Sequence, residues 1–323
     1  MAVAGSKPLP GTLNVMEAHF LPVDANRLTE PTSIAIAQRI QRREILTSLS
    51  PTAIATAYVP WGPDQPAAQP PVMLLHGFDS SVFEFRRLQP LLATRYSTWN
   101  VDLLGFGFTD RPGDVPFTPT AIKTHLYDTW KTLIGKPMVL VGASMGGAAA
   151  IDFALTYPEA VHQLVVIDGA GFAKGPDISR FMVPPLGYLA AEFLRRPGVR
   201  RKVSLQAYHD PSFVTADAEL CASLHLQLPR WREAMIAFTK SGGYNFLADR
   251  IQDIAVATLI LWGDRDRILG TADATKFQAA IPNSQLVWIP DCGHVPHLEK
   301  PQATAIALQT FIDTPTANPL ASR

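Results

Sequence analysis

The sequence predicts an α/β protein: a mostly parallel, eight-stranded sheet with helices on both faces and a helical insertion late in the chain. Three observations predict it. From about residue 36 onward, short β-rich runs alternate with helical patterns, as parallel strands joined by crossover helices require. With 323 residues, 47% hydrophobic and 17% charged, the chain can bury a core of that size. One interval between strands, roughly eighty residues, far exceeds the dozen or so that a crossover needs.

Residues 1–35 mix Pro, Gly, Ser and Thr without sustained periodicity and read as a loosely held N-terminal arm. The strand candidates are REILTSL and AIATAYV, then PVMLLH, TWNVDLL, MVLVGA, LVVIDG, TLILWG and QLVWIP. Helical patterns fall at 81–94, 118–134, 145–157, 272–281 and 300–312. The core is therefore expected over 36–172 and 247–313, with 314–323 as a tail. The long interval, 173–246, reads as a helical cap rich in aromatic and aliphatic residues, among them Phe181, Phe193, Tyr208, Trp231 and Phe238. Such aromatics either fill the contact between cap and core or line a substrate pocket.

Lys+Arg and Asp+Glu each number 28, so no overall field recruits nucleic acid. The two cysteines, Cys221 and Cys292, are too few and too far apart for a disulfide framework or a CxxC metal pattern. The N-terminus lacks a basic region followed by an apolar one, and no apolar run reaches the roughly 18 residues of a membrane span. A cytoplasmic protein is the expectation. The stretch Leu186–Leu194 lies beside a basic cluster, Arg195 to Lys202, which leaves a weak membrane-surface contact open. Pro197 and Gly198 interrupt any single amphipathic helix there, so a solvated cap edge is the competing expectation.

The segment VLVGASMGGAAAIDF (139–153) surrounds Ser144 with small residues. If VLVGA is a strand and MGGAAAIDF opens a helix, Ser144 occupies a strained turn. Gly142 and Gly146, two before and two after it, then lie too near other backbone for side chains. The helix N-terminus favours a developing anion at that point. A serine hydroxyl needs a base, and the base an orienting acid. LILWGDRDRIL supplies Asp264 and Asp266 just past one strand, and VWIPDCGHVPHLEKP supplies His294 just past the next. Open α/β sheets gather their sites at such strand ends.

From Pro71 to about Ile312 the chain resembles the α/β-hydrolase fold family, on His76-Gly77-Phe78, Gly142-Ala143-Ser144-Met145-Gly146, Trp262-Gly263-Asp264-Arg265-Asp266 and the run from Gly293 to Pro301. HGFDSS, VDLLGFGFTDRP and GASMGGAAAIDF are also similar to a group of hydrolases from photosynthetic organisms. The resemblance implies Ser144 as nucleophile, His294 as general base and Asp266 as its orienting acid. Asp264 is then a turn residue, and Asp168 a rival acid. It also implies an oxyanion hole from the backbone N–H groups of Phe78 and Met145, with neither metal nor cofactor. His76 is expected to brace its turn. His297 and Glu299 suggest a metal site only weakly, and surface or capping roles are expected for His19, His125, His162, His209 and His225.

A serine at position 144 argues against the dehalogenase and epoxide hydrolase branches, whose nucleophile is aspartate. Val295 stands where carbon–carbon hydrolases of the family usually carry Trp, and Gly270 where a proline is common. The expected activity is hydrolysis of a lipophilic carboxylic ester through an acyl-enzyme. Acyl transfer, carbon–carbon hydrolysis and a receptor-like binding role are the alternatives. Oligomeric state is not readable from the sequence.

Overall fold

The central segments VMLL (72–75) and MVLVGA (138–143) are apolar at every position, so both of their faces have to be covered. A computed structural model describes residues 20–63, 69–172 and 182–314. Its eight strands are β1 (Gln41–Ile45), β2 (Ile54–Trp61), β3 (Val72–Leu75), β4 (Thr98–Val101), β5 (Met138–Ala143), β6 (Val161–Ile167), β7 (Thr258–Gly263) and β8 (Ser284–Ile289). They form one sheet in the order β1-β2-β4-β3-β5-β6-β7-β8. β2 runs antiparallel to both of its neighbours, and all other pairs are parallel.

The pleat divides each strand between two cores. Met73 and Leu75 of β3, Leu140 of β5 and Leu164 of β6 face one cluster. Val72, Leu74, Val141 and Val165 face the other. Each fully buried aliphatic side chain contributes roughly 1.5–3 kcal/mol relative to exposure.

The helices are α1 (Pro31–Arg39), α2 (Gln89–Leu92), α3 (Pro119–Leu133), α4 (Met145–Thr156), α5 (Leu186–Arg195), α6 (Pro197–Ala207), α7 (Ala216–Cys221), α8 (Trp231–Lys240), α9 (Ala272–Ala280), α10 (Pro296–Glu299) and α11 (Pro301–Asp313). α3, α4 and α9 cover the first face, through residues such as Ile122, Ile151 and Phe277. α2 and α11 cover the second through Leu92, Leu308 and Phe311. Helices α5 to α8 are inserted between β6 and β7. No helix of the described residues is long and apolar enough to cross a membrane.

Three expectations need correction. β1 begins two residues earlier than REILTSL, because its register is set by pairing with β2 from Gln41–Tyr58 to Ile45–Ile54; Leu46, just beyond, is exposed. The helix expected over 81–94 is a 3-10 turn, Val82–Phe85, followed by the short α2. Pro90 has no N–H to donate back toward Arg86, so one continuous helix cannot form. The arm is not loose beyond residue 20. Ser33 and Ile36 of α1 are fully buried, and Thr29, Glu30 and Ser33 all donate to the Asp217 carboxylate of α7. Residues 1–19, Phe181 and the tail from 315 lie outside the described residues.

Candidate active site

Ser144 is the hinge between β5 and α4, with φ 52° and ψ −119°. A non-glycine residue in that region is held there only if its surroundings enforce it. They do so through hydrogen bonds: Ser144 N–H donates to the Ile167 carbonyl at 3.0 Å, while its own carbonyl accepts from Gly147 at 2.9 Å and Ala170 at 3.0 Å. A Cβ on Gly142 would run into the Gly146 carbonyl, and one on Gly146 into the Leu75 carbonyl. The turn is therefore closed to any larger residue at both positions.

His294 and Asp266 come from the loops after β8 and β7. His294 Nδ1 lies 2.9 Å from Asp266 Oδ2, and both side chains are buried. A carboxylate only accepts, so Nδ1 carries the proton and Nε2 is left as the acceptor. The other Asp266 oxygen accepts from the Ile268 and Leu269 amides at 2.7 and 3.2 Å, which fixes the carboxylate plane. Asp264 points elsewhere: its Oδ1 accepts from the Cys292 amide at 3.3 Å and secures the turn.

The histidine loop is tied to the inserted helices. His294 N–H donates to Ala207 at the end of α6, at 2.7 Å. The buried Glu299 carboxylate accepts from the amides of Gly293, His209 and Asp210 at 2.8, 3.1 and 2.7 Å. A Cβ on Gly293 would strike the Ala207 carbonyl.

Ser144 and His294 face one cavity of about 340 Å³, lined also by Phe78, Leu194, Val203 and Ile268. Hydroxyl and imidazole are not hydrogen-bonded to each other in this arrangement, which is common before a substrate tightens such a site. The loop carrying Phe78 abuts the serine: a Cβ on Gly77 would lie 3.2 Å from Ser144 Cβ. Glu84 holds that loop, accepting from the Gly77 amide with both oxygens at 3.1 and 3.0 Å. The amides of Phe78 and of Met145, the first residue of α4, have no acceptor among the described residues.

His76 is fully buried, its Nδ1 donating to the Gly77 carbonyl at 2.8 Å and its Nε2 accepting from the Leu103 amide at 3.2 Å. Burial lowers it to about 4, so it stays neutral and braces the turn. His297 lies 3.3 Å from Glu84, away from Glu299, whose oxygens are taken by amides. The one group of three metal-capable side chains among the described residues is Asp168, Asp266 and His294, with atoms within 4.8 Å of one another. There Asp266 and His294 already engage each other. Asp168 is fully buried and accepts from the Gly263 amide at 3.0 Å. Burial, and then the charge of Asp266, raise its carboxyl well above the usual carboxylate range.

A protein-family model described as the alpha/beta hydrolase family matches residues 72–307. The chain belongs to that family. This alpha/beta hydrolase is 34% identical over 297 residues to the alpha/beta hydrolase domain-containing protein VTE7 of Arabidopsis thaliana, with 90% of this chain and 89% of that protein covered. It is 24% identical over 287 residues to Lipase 1 of Psychrobacter immobilis, covering 88% and 90%. Among solved structures, a thermophilic esterase from Thermogutta terrifontis superposes with a TM-score of 0.70 at 26% identity, covering 84% of this chain and 98% of that one.

The main feature of this hydrolase that sequence reasoning missed is a junction at Asp79, the residue after Phe78. Its backbone is left-handed, with φ 50°. Its carboxylate accepts from Arg200 of α6 at 2.5 Å, from Trp231 of α8 at 2.8 Å and from His225 at 3.1 Å. Burial opposes ionisation of Asp79, but the hydrogen bond and charge of His225, the charge of Arg200 and the Trp231 bond outweigh it and hold it at about 2. His225 is thus no surface residue; it is fully buried. His125 is buried as well, its Nε2 2.8 Å from the Thr56 hydroxyl. Only the position of Asp79 inside HGFD could have drawn attention, since its partners lie 121 to 152 residues away.

Proposed function

We propose that this protein is a serine hydrolase that cleaves a carboxylic ester of a lipophilic substrate through an acyl-enzyme, with Ser144, His294 and Asp266 as its triad. The observation that carries the reading is the 2.9 Å contact between Asp266 and His294 Nδ1, which leaves Nε2 free to take a proton inside the cavity that Ser144 faces. As Ser144 Oγ bonds to the ester carbonyl carbon, its proton passes to Nε2. The imidazolium so formed is stabilised by Asp266. The carbonyl oxygen becomes an oxyanion, for which the Phe78 and Met145 amides and the N-terminus of α4 are the donors. Collapse breaks the bond to the alcohol oxygen, which leaves with the proton from Nε2. Water then repeats the sequence on the acyl-enzyme and returns free Ser144 and a carboxylic acid.

Helices α5 to α8 serve in this reading as a cap that supplies apolar walls such as Leu194 and Val203. Apolar walls with few polar groups suit an acyl chain or ring. The relatives named as a lipase and an esterase support ester chemistry.

The test is a fluorophosphonate probe together with a series of esters of increasing chain length. Covalent labelling at Ser144 is expected, and Ser144→Ala should lose about 10⁴-fold or more in kcat. An active enzyme that ignores the probe and keeps its rate as Ser144→Ala would overturn the mechanism. Product analysis with a competing alcohol separates hydrolysis from acyl transfer.

A further inference from the structure

Half of the large apolar side chains exposed among the described residues fall between residues 183 and 205, on and beside α5 and α6. Leu186, Leu189 and Phe193 of α5 are 51%, 64% and 54% exposed. At 100° per residue they share an arc of about 60°. The buried residues of that helix, Gly187 and Ala191, lie on its opposite side. The helix has therefore used a face of small residues for its internal contact and turned its large apolar face outward. An ordinary surface helix does the reverse.

Two further observations say what that face meets. Arg195, Arg196, Arg201 and Lys202 are all exposed around the corner between α5 and α6. The Arg196 guanidinium stands 5.9 Å from the Phe193 ring, so charge and apolar stripe are contiguous. Glu219 pairs with Arg201, and Glu192 lies 3.9 Å from Arg195, whereas Arg196 and Lys202 have no carboxylate partner among the described residues. The second observation is the cavity: Leu194 and Val203, both partly exposed in this patch, also line it. The cavity wall thus reaches the surface beside the apolar stripe.

We propose that α5 and α6 form a docking face for an anionic lipid bilayer, with the cavity mouth turned toward the acyl region. Leu186, Leu189 and Phe193 enter the interface while Arg196 and Lys202 meet anionic headgroups. The basic cluster selects a bilayer over a second copy of the chain, because a symmetric pairing through this patch would set the four cations against their own equivalents. The chain's net charge of zero means that this local cluster, and no overall field, provides the attraction.

The test is sedimentation of the full chain with phosphatidylcholine vesicles, with and without phosphatidylglycerol. It reads binding alone and so does not depend on the hydrolytic mechanism. The wild type should partition onto anionic vesicles about tenfold or more over neutral ones at low salt, and lose that preference in about 0.5 M NaCl. Arg196→Ala with Lys202→Ala should remove the anionic preference. Leu189→Ser with Phe193→Ser should lower binding to both vesicle types about tenfold. Neither double variant touches the cavity, so both should keep the wild-type kcat on a short, water-soluble ester, which controls for folding. Wild-type protein that stays in the supernatant at low salt would overturn the proposal, as would a variant pair that binds unchanged. A dimer in solution that Leu189→Ser with Phe193→Ser dissociates would assign the face to self-association instead.

Discussion

Replacing Asp79 by Asn removes one negative charge from the junction between the Phe78 loop and helices α6 and α8, and leaves almost everything else in place. Asn tolerates the left-handed backbone, and its carbonyl oxygen still accepts from Trp231 and His225. What is lost is the charge facing Arg200 and the bond Arg200 donates to the other carboxylate oxygen, where the Asn amide group is itself a donor, in a pair whose side chains are only 11% and 18% exposed. Asp79 is held at about 2 against an ordinary 3.8, a depression on the order of 2 kcal/mol in folding stability. Asp79→Asn should therefore cost about 2–3 kcal/mol. Asp79→Ala, which also takes away the acceptor of the buried Trp231 and His225 N–H groups, should cost about 3–5 kcal/mol. The sign with pH follows from the depressed native value. The stabilisation is complete above 3.8 and is lost as pH falls toward about 2. Urea unfolding should thus show a constant gap between wild type and Asp79→Asn from pH 7 to 5 that narrows by pH 3. Because Asp79 adjoins the proposed oxyanion donor Phe78, kcat should also fall about tenfold, a fraction of what losing a whole donor costs. A variant within about 0.5 kcal/mol of wild type at pH 7, or a gap indifferent to acid, would refute this account of the junction.

Asp168→Asn should behave oppositely. Asn keeps the acceptor for the Gly263 amide but cannot ionise, whereas the wild-type carboxyl, raised by burial and by Asp266, carries a cost that grows as pH climbs above its ordinary 3.8. The variant should therefore gain on wild type as pH rises above 3.8, and parallel stability curves would rule out a raised Asp168 carboxyl. Both thiols should resist iodoacetamide at pH 8 in the folded protein: burial raises Cys221 to about 11 and raises Cys292 as well. Mass spectrometry showing either one alkylated before unfolding would count against that packing.

The sheet was legible wherever both faces of a strand are buried, since a run such as Met138–Ala143 has no other use in an α/β chain. β1 was misplaced because QRREI is a mostly polar edge strand whose bounds are set by β2, a partner that period alone does not reveal. The expected helix over 81–94 failed at one residue, Pro90. In the site, Ser144 and His294, which face the cavity, and Asp266, bonded to His294, each sit in a short local pattern of glycines and turn residues next to a strand, and such patterns survive in one dimension. Asp79, Arg200, His225 and Trp231 form no such pattern. Their grouping exists only once the inserted helices have folded over β3 and β4. Asp168 appeared in the sequence as a competitor of Asp266, whereas in three dimensions the two carboxyls stand side by side.

The hydrogen bond from His294 to Ala207, with Glu299 gripping His209 and Asp210, bears on protein engineering. Grafting a donor segment from another hydrolase in place of α5–α8 would sever a backbone strut of the proposed base, His294. A chimera of that kind has to import its matching histidine loop, so specificity and reactivity in this scaffold would be exchanged together or not at all.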